Sequence, residues 1–306
     1  MTIKEHIPSN VINGVCLRVA DLQDMMKQDS KEKSSEKPEK KIQKKGQKTT
    51  YQQPNMIALL VAEFLGTALL LFLGCMGCIT GYEETYISHY MPSITFGLTI
   101  MIIIQIFGHI SGAHLNPAVT LVSYIFGHLD LKTAGIYVVG QFVGAIFGYA
   151  GLKLLVPSEY IASPILISEN VTASGFCVTN THAKTSTMQG LAIETVITAV
   201  LILVCLGLWD RRNAQKQDSV PLRFGFIIAA LAMAAGPFTG ASMNTARSFA
   251  PALLNGVWTN HWIYWVGPTL GAVIAAYLYK FLYAIPDEAE NEDEYDDISL
   301  QKVDSN

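Results

Sequence analysis

Charge is scarce in this chain. Only 15% of its 306 residues are Asp, Glu, Lys or Arg, while 50% are hydrophobic, and the mean hydropathy is +0.31. Soluble globules carry roughly a quarter charged residues, so this composition excludes an ordinary soluble domain and points to a membrane protein. Cysteine is also sparse: Cys16, Cys75, Cys78, Cys177 and Cys205. Cys75 and Cys78 stand three apart in an apolar helical pattern, and no second pair matches them. A zinc site is therefore excluded, and packing as small apolar side chains is the expectation for both. Cys177 stands alone in a loop. No acidic or His residues at ligand spacing accompany His114, so no metal is expected. The glycine-rich stretches lack the phosphate-loop pattern, so no nucleotide cofactor, no nucleic-acid partner and no catalysis are expected. The first 50 residues hold no long apolar run, so no signal peptide is expected.

The apolar sequence falls into six runs, at 57–80, 92–110, 133–156, 188–208, 220–236 and 262–284. Each is roughly 17–25 residues long, enough to span a bilayer core as a helix. Flanking them are a polar tail over 1–52 and an acidic one over 286–306. The first is Lys-rich, with nine Lys against four acidic residues from Lys27 to Lys48. Both tails read as disordered and solvated.

Lys and Arg distribute unevenly between the loops. The N-terminal tail, Lys132, Arg211, Arg212, Lys216, Arg223 and Lys280 fall on one side, against Lys153, Lys184 and Arg247 on the other. The richer side is read as cytoplasmic, which places both termini there and the loop over 157–187 outside. That outer loop contains Asn170-Val171-Thr172, an N-glycosylation acceptor.

Two short stretches echo one another. The first is Ser111-Gly112-Ala113-His114-Leu115-Asn116-Pro117-Ala118-Val119-Thr120. The second is Thr239-Gly240-Ala241-Ser242-Met243-Asn244-Thr245-Ala246-Arg247-Ser248, and the two Asn residues lie 128 positions apart. Each Asn follows a small-residue loop and precedes an apolar helical pattern, the place of a helix N-cap. Pro117 suits the first helical position. The echo extends further. Phe96-Gly97 matches Phe224-Gly225, Gly140 and Gly144 match Gly267 and Gly271, and Glu63 with Thr67 matches Glu194 with Thr198. The halves, about 53–156 and 187–285, each hold three spans and one half-helix. Three is odd, so the second half enters from the opposite side. The fold class is an all-α membrane protein with six transmembrane helices and two re-entrant half-helices in an inverted 3+3 repeat.

Such a repeat brings the half-helix N-termini together near the midplane. Each carries unpaired N–H groups and a partial positive charge. Asn116 and Asn244 add amide donors at that centre, and the loops before them add carbonyl acceptors. Glu63 and Glu194 are costly in hydrocarbon unless partnered. Their equivalent places suggest that each braces one re-entrant loop by accepting its N–H groups, rather than relaying protons. His114 is expected to be a structural hydrogen-bonding group. Gly140, Gly144, Gly148, Gly267 and Gly271 read as close helix crossings.

These motifs resemble those of the aquaporin family, over roughly residues 52–285. The resemblance implies an aquaporin-like bundle, a homotetramer with one pore in each subunit, and a pore centre of Asn116, Pro117, Ala118, Asn244, Thr245 and Ala246. Thr245 departs from the family's usual Pro, which frees φ and leaves the half-helix start less rigid. By position the resemblance places the outer constriction at Phe96, Ala232, Ala241 and Arg247. Water-selective members usually carry His where this chain has Ala232. The classical glycerol facilitators carry Asp where it has Ser248. Tyr264-Trp265 also looks like the water-channel branch. A water-channel scaffold with an opened filter resembles the insect entomoglyceroporins.

The function so implied is a passive channel in the cell membrane for water, glycerol and urea that excludes ions and protons. A water-only channel is the same-class alternative. A membrane scaffold or adhesion protein with a vestigial pore is the alternative of another class, motivated by Thr245. Arg247 and the lack of an acidic ring disfavour an ion channel.

Overall fold

Six helices are long and apolar enough to cross a bilayer in the computed structural model, which describes residues 11–12, 15–16, 54–79, 90–162 and 175–283. The chain divides into two units, Met1–Gln52 and Gln53–Asn306. In the first, the described residues form a two-residue antiparallel pair, β1 (Val11–Ile12) and β2 (Val15–Cys16). The described residues of the second are helical or in the connections between helices. Its elements are α1 (Met56–Met76), α2 (Tyr90–Ser111), α3 (Pro117–Ile125), α4 (Leu131–Leu155), α5 (Ser158–Ala162), α6 (Thr187–Trp209), α7 (Val220–Thr239), α8 (Thr245–Asn255) and α9 (Ile263–Leu282). The six long helices coincide with the six apolar runs, and α3 and α8 are the two short half-helices.

Polar residues at the helix ends start these elements. Asn55 accepts from the Ala58 N–H at 2.8 Å, and Asp130 from the Thr133 N–H at 2.9 Å. Ser186 and Gln189 form a reciprocal capping box at the start of α6. Gly240 and Gly256 end α7 and α8 in the left-handed conformation, with φ of 77° and 70°. Side-chain placement is inverted relative to a soluble protein. Val61, Leu65, Leu98, Val143, Phe147 and Ile274 are exposed, whereas Glu63, Gln141, Glu194 and Ser248 are wholly buried. Apolar exteriors around a polar interior suit a lipid solvent and a polar axial path.

The helices pair by repeat: α1 lies on α4, α6 on α9, and α2 on α7 across the two halves. Small residues allow the close approaches. A Cβ on Gly144 would meet the Phe64 carbonyl oxygen at 2.2 Å, and one on Gly271 the Thr195 carbonyl oxygen at 2.3 Å. Replacing either would force backbones apart.

The half-helices are exchanged between the repeats. Ala118, Val119 and Val122 of α3 pack in one cluster with Ile197 and Leu201 of α6 and Ala272 and Ala275 of α9. Ala246 and Ala250 of α8 pack in another with Leu70 and Leu71 of α1 and Ala145 and Tyr149 of α4. Each half-helix therefore packs on helices of the opposite repeat as well as its own, and the two loops meet only where the halves come together.

Candidate functional site

The centre is built by two helix starts that face each other. Asn116 is extended (φ −152°) and accepts from the Ala118 N–H at 2.9 Å. Asn244 is likewise extended (φ −149°) and accepts from the Arg247 N–H at 3.2 Å. Both are caps, as expected from their sequence context. The other ends of their side chains were not anticipated. Asn116 Nδ2 donates to the Met243 carbonyl at 2.8 Å, and Asn244 Nδ2 donates to the Leu115 carbonyl at 2.7 Å. Each amide thus ties its own loop to the opposite one. An amide carries two N–H donors, so one of each pair remains for a permeant, rather than both.

The loops before the two Asn residues share one conformation. Gly112, Ala113 and Leu115 have φ of 79°, 48° and 55°, and Gly240, Ala241 and Met243 have 77°, 46° and 52°. Four of these are not glycine, and such positions cost of order 1 kcal/mol each. What holds them is the pair of buried carboxylates. Glu63 accepts from Ser111 Oγ at 2.6 Å, the His114 and Leu115 N–H groups at 2.9 and 2.8 Å, and Gln141 Nε2 at 2.8 Å. Glu194 accepts from Thr239 Oγ1 at 2.6 Å and from the Ser242 and Met243 N–H groups, both at 2.9 Å. Tyr137 and Tyr264, 127 residues apart, each donate at 2.8 Å to the carbonyl of the residue that opens the loop, Ser111 or Thr239. The expected bracing geometry is therefore present, with tyrosines as unanticipated members. His114 Nδ1 lies 3.3 Å from Thr120 Oγ1, and its ring packs on Tyr137 and Trp209.

Thr245 has a specific partner. Its hydroxyl donates to the Tyr264 carbonyl at 3.0 Å. That carbonyl would ordinarily accept from the residue four positions on, but Pro268 has no N–H. The first repeat has the opposite arrangement, Pro117 at the half-helix start and Gln141 in the long helix. Thr245→Val should therefore orphan the Tyr264 carbonyl and cost about 1–2 kcal/mol. Thermal unfolding in detergent should show a lower Tm for the Val variant and a near-parental one for Thr245→Ser. Equal Tm values for Val and parent would show that the bond contributes nothing.

The proposed outer constriction is partly assembled by direct contacts. The Arg247 guanidinium lies 4.9 Å from the centre of the Phe96 ring. Ala241 is buried, and half-buried Ala232 packs against the cluster that contains Ala241 and Met243. The residue missed in the sequence is Cys177. Arg247 Nη1 donates to its carbonyl at 2.9 Å, and Nη2 lies 3.8 Å from its Sγ. Cys177 is not alone either: it forms a disulfide with Cys75, Cα–Cα 5.6 Å. The expectation of simple packing at Cys75 is corrected accordingly. The inferred topology held the signal, since it put the end of the first span and the 157–187 loop on one side of the membrane. Hydrogen bonds to Phe176 and Ser248 fasten the segment. Tyr149 Oη donates to the Phe176 carbonyl at 2.6 Å, and Thr179 Oγ1 to Ser248 Oγ at 2.8 Å. Asn170, the acidic tail over 286–306 and all of the N-terminal tail over 1–52 except residues 11–12 and 15–16 lie outside the described residues.

Comparison with known proteins agrees with this architecture. The family described as Major intrinsic protein matches residues 50–279. Aquaporin-4 of Mus musculus is 37% identical over 225 residues, covering 72% of this chain and 66% of that relative. Aquaporin-2 of Rattus norvegicus is 34% identical over 222 residues, covering 72% of this chain and 77% of the relative. Among solved structures, an aquaglyceroporin from Plasmodium falciparum superposes with a TM-score of 0.63 at 24% identity, covering 74% of this chain and 97% of that one. At that identity the likeness concerns the fold.

Proposed function

The chain belongs to the major intrinsic protein family, and on that premise we propose that it is a passive channel for water and small uncharged solutes, glycerol and urea among them. What supports the solute range is the contact of Arg247 with Phe96, taken together with the alanines at positions 232 and 241 that the family resemblance puts at the same level. Arg247 supplies fixed donors to a hydroxyl or a urea oxygen, while the Phe96 ring offers an apolar wall to a carbon backbone. The two alanines supply neither bulk nor polarity. That combination leaves room that a water-only filter, closed by a bulky polar group, would fill. It resembles the filter of the insect entomoglyceroporins on a water-channel scaffold. Uptake of labelled glycerol and urea above background by cells expressing the chain supports this reading. Uptake at background with normal water flux would assign the water-only alternative.

At the centre, a permeant would exchange hydration for the remaining amide donors of Asn116 and Asn244 and for loop carbonyls. The opposed half-helix N-termini and buried Arg247 make a cation costly along the same path. Arg247→Val should raise cation or proton conductance above background while neutral-solute flux persists. Background conductance in a well-expressed variant would leave the barrier to the half-helix dipoles alone. A vestigial pore is disfavoured because Asn244 still caps α8 despite Thr245.

We infer a cell-membrane protein with both termini cytoplasmic, assembled as a homotetramer whose apolar helix faces meet lipid and neighbouring subunits. The Cys75–Cys177 disulfide supports that orientation, since it suits the oxidising outer side. Lys153, one of the few cations on that side, donates to the Leu254 carbonyl and to Asn255 Oδ1, where it meets the negative end of α8.

A further inference from the structure

Three cysteines meet beside the constriction, and one of them is a free thiol. Cys78 follows α1 by two residues, and its N–H donates to the Cys75 carbonyl at 2.9 Å. The i, i+3 spacing puts both cysteines on one side of a single turn. Both face Cys177: Cys75 is bonded to it, and Cys78 Sγ lies 3.9 Å from Cys177 Sγ. An S–S bond is about 2 Å long, so a displacement of about 2 Å would bring Cys78 into bonding range. On the same sulfur, Arg247 Nη2 lies 3.8 Å away. The attacking group is the Cys78 thiol, whose pKa burial pushes up to about 11 with a partial offset from Arg247, so the thiolate that opens a disulfide becomes more abundant as the pH rises.

We propose that Cys75, Cys78 and Cys177 form a disulfide-exchange triad in which Cys177 passes between two partners and carries the anchorage of Arg247 with it. The Cys78 thiolate attacks Cys177 Sγ, the Cys78–Cys177 bond forms, and the Cys75–Cys177 bond breaks. Cys75 leaves as a thiolate and takes up the proton that Cys78 lost. One disulfide and one thiol stand on each side of the step, so no oxidant or reductant is consumed.

The consequence runs through the backbone of one residue. Cys177 holds φ at +59°, and its carbonyl accepts the Arg247 Nη1 donor. Its neighbours are fixed, Phe176 by Tyr149 and Thr179 by Ser248. Movement of the sulfur toward Cys78 is therefore concentrated on Cys177 itself, and the carbonyl that positions Arg247 moves with it. The two pairings define two settings of the constriction.

The chain contains the means to tell them apart. Cleavage with cyanogen bromide after methionine puts Cys75 in the fragment 57–76, Cys78 in 77–91 and Cys177 in 102–188. Full-length protein in membrane vesicles, incubated at mildly alkaline pH and quenched in acid, should yield both linkages to the 102–188 fragment by mass spectrometry. Recovery of the 57–76 linkage alone, with Cys78 fully open to alkylation, would overturn the proposal. In Cys75→Ser, Cys78 should take over as the partner of Cys177 in most of the protein. The ratio of glycerol to water flux should then differ severalfold from that of Cys78→Ser, which is locked in the native pairing. Free thiols at both positions in Cys75→Ser would contradict exchange, and an unchanged flux ratio with the new linkage formed would contradict its coupling to Arg247. The flux arm rests on the channel reading, whereas the linkage map does not. A parent without flux but with both linkages would reject the channel reading and retain the exchange.

Discussion

Ala232→His should lower glycerol and urea flux by roughly tenfold to a hundredfold while water flux persists. Recognition by contact alone discriminates by about 1–3 kcal/mol per group added or removed, which is that range, and single-file exclusion adds to it. Ala232 stands on α7, half-buried against the cluster that includes Ala241 and Met243. Arg247 and Phe96 are already in contact through the guanidinium and the ring. An imidazole at 232 would add bulk and a donor to the wall that is now a methyl group. Stopped-flow measurements at equal protein density check this. Glycerol flux equal to the parent's would show that residue 232 does not line the constriction.

The second large effect concerns the buried carboxylates. Glu194→Leu should abolish the folded channel, and Glu63→Leu should do the same. The Glu194 change strands the Ser242 and Met243 N–H groups and the Thr239 hydroxyl. The Glu63 change strands the His114 and Leu115 N–H groups, Ser111 and Gln141. Each orphaned buried donor costs about 1–3 kcal/mol, so three or four exceed much of a typical folding free energy. The loops they brace hold Ala113, Leu115, Ala241 and Met243 at positive φ and would lose what keeps them there. Surface yield and thermal unfolding measure the outcome. Glu→Gln keeps one acceptor oxygen and should be intermediate. A Leu variant with full surface level and normal flux per channel would show that the carboxylates do not brace the loops.

Much of this fold was legible because it is local or repeated. The spans announce themselves by length and hydropathy, and each coincides with a helix. The repeat was legible through pairs such as Asn116 with Asn244 and Glu63 with Glu194, whose matched spacing implies matched roles. What stayed hidden depends on contacts between distant segments. Cys177 bonds a residue 102 positions away and offers its carbonyl to Arg247, and no periodicity marks either contact. The amide donors of Asn116 and Asn244 cross to carbonyls 127 and 129 residues distant. Thr245 looked only like a less rigid half-helix start because its partner, the carbonyl left open by Pro268, lies in another helix. The exchange of half-helices between the repeats is likewise a property of the assembled bundle, since each repeat's own pattern gives only an apolar face without its partner.

The central claim is that an Arg247–Phe96 constriction opened by Ala232 and Ala241 passes solutes larger than water. Paired water and glycerol permeability on the unmodified protein, in the same vesicles, tests it most directly. The account predicts that both rise well above those of protein-free vesicles, in proportion to the protein incorporated. Water permeability that rises with protein while glycerol permeability stays at the protein-free level would contradict it.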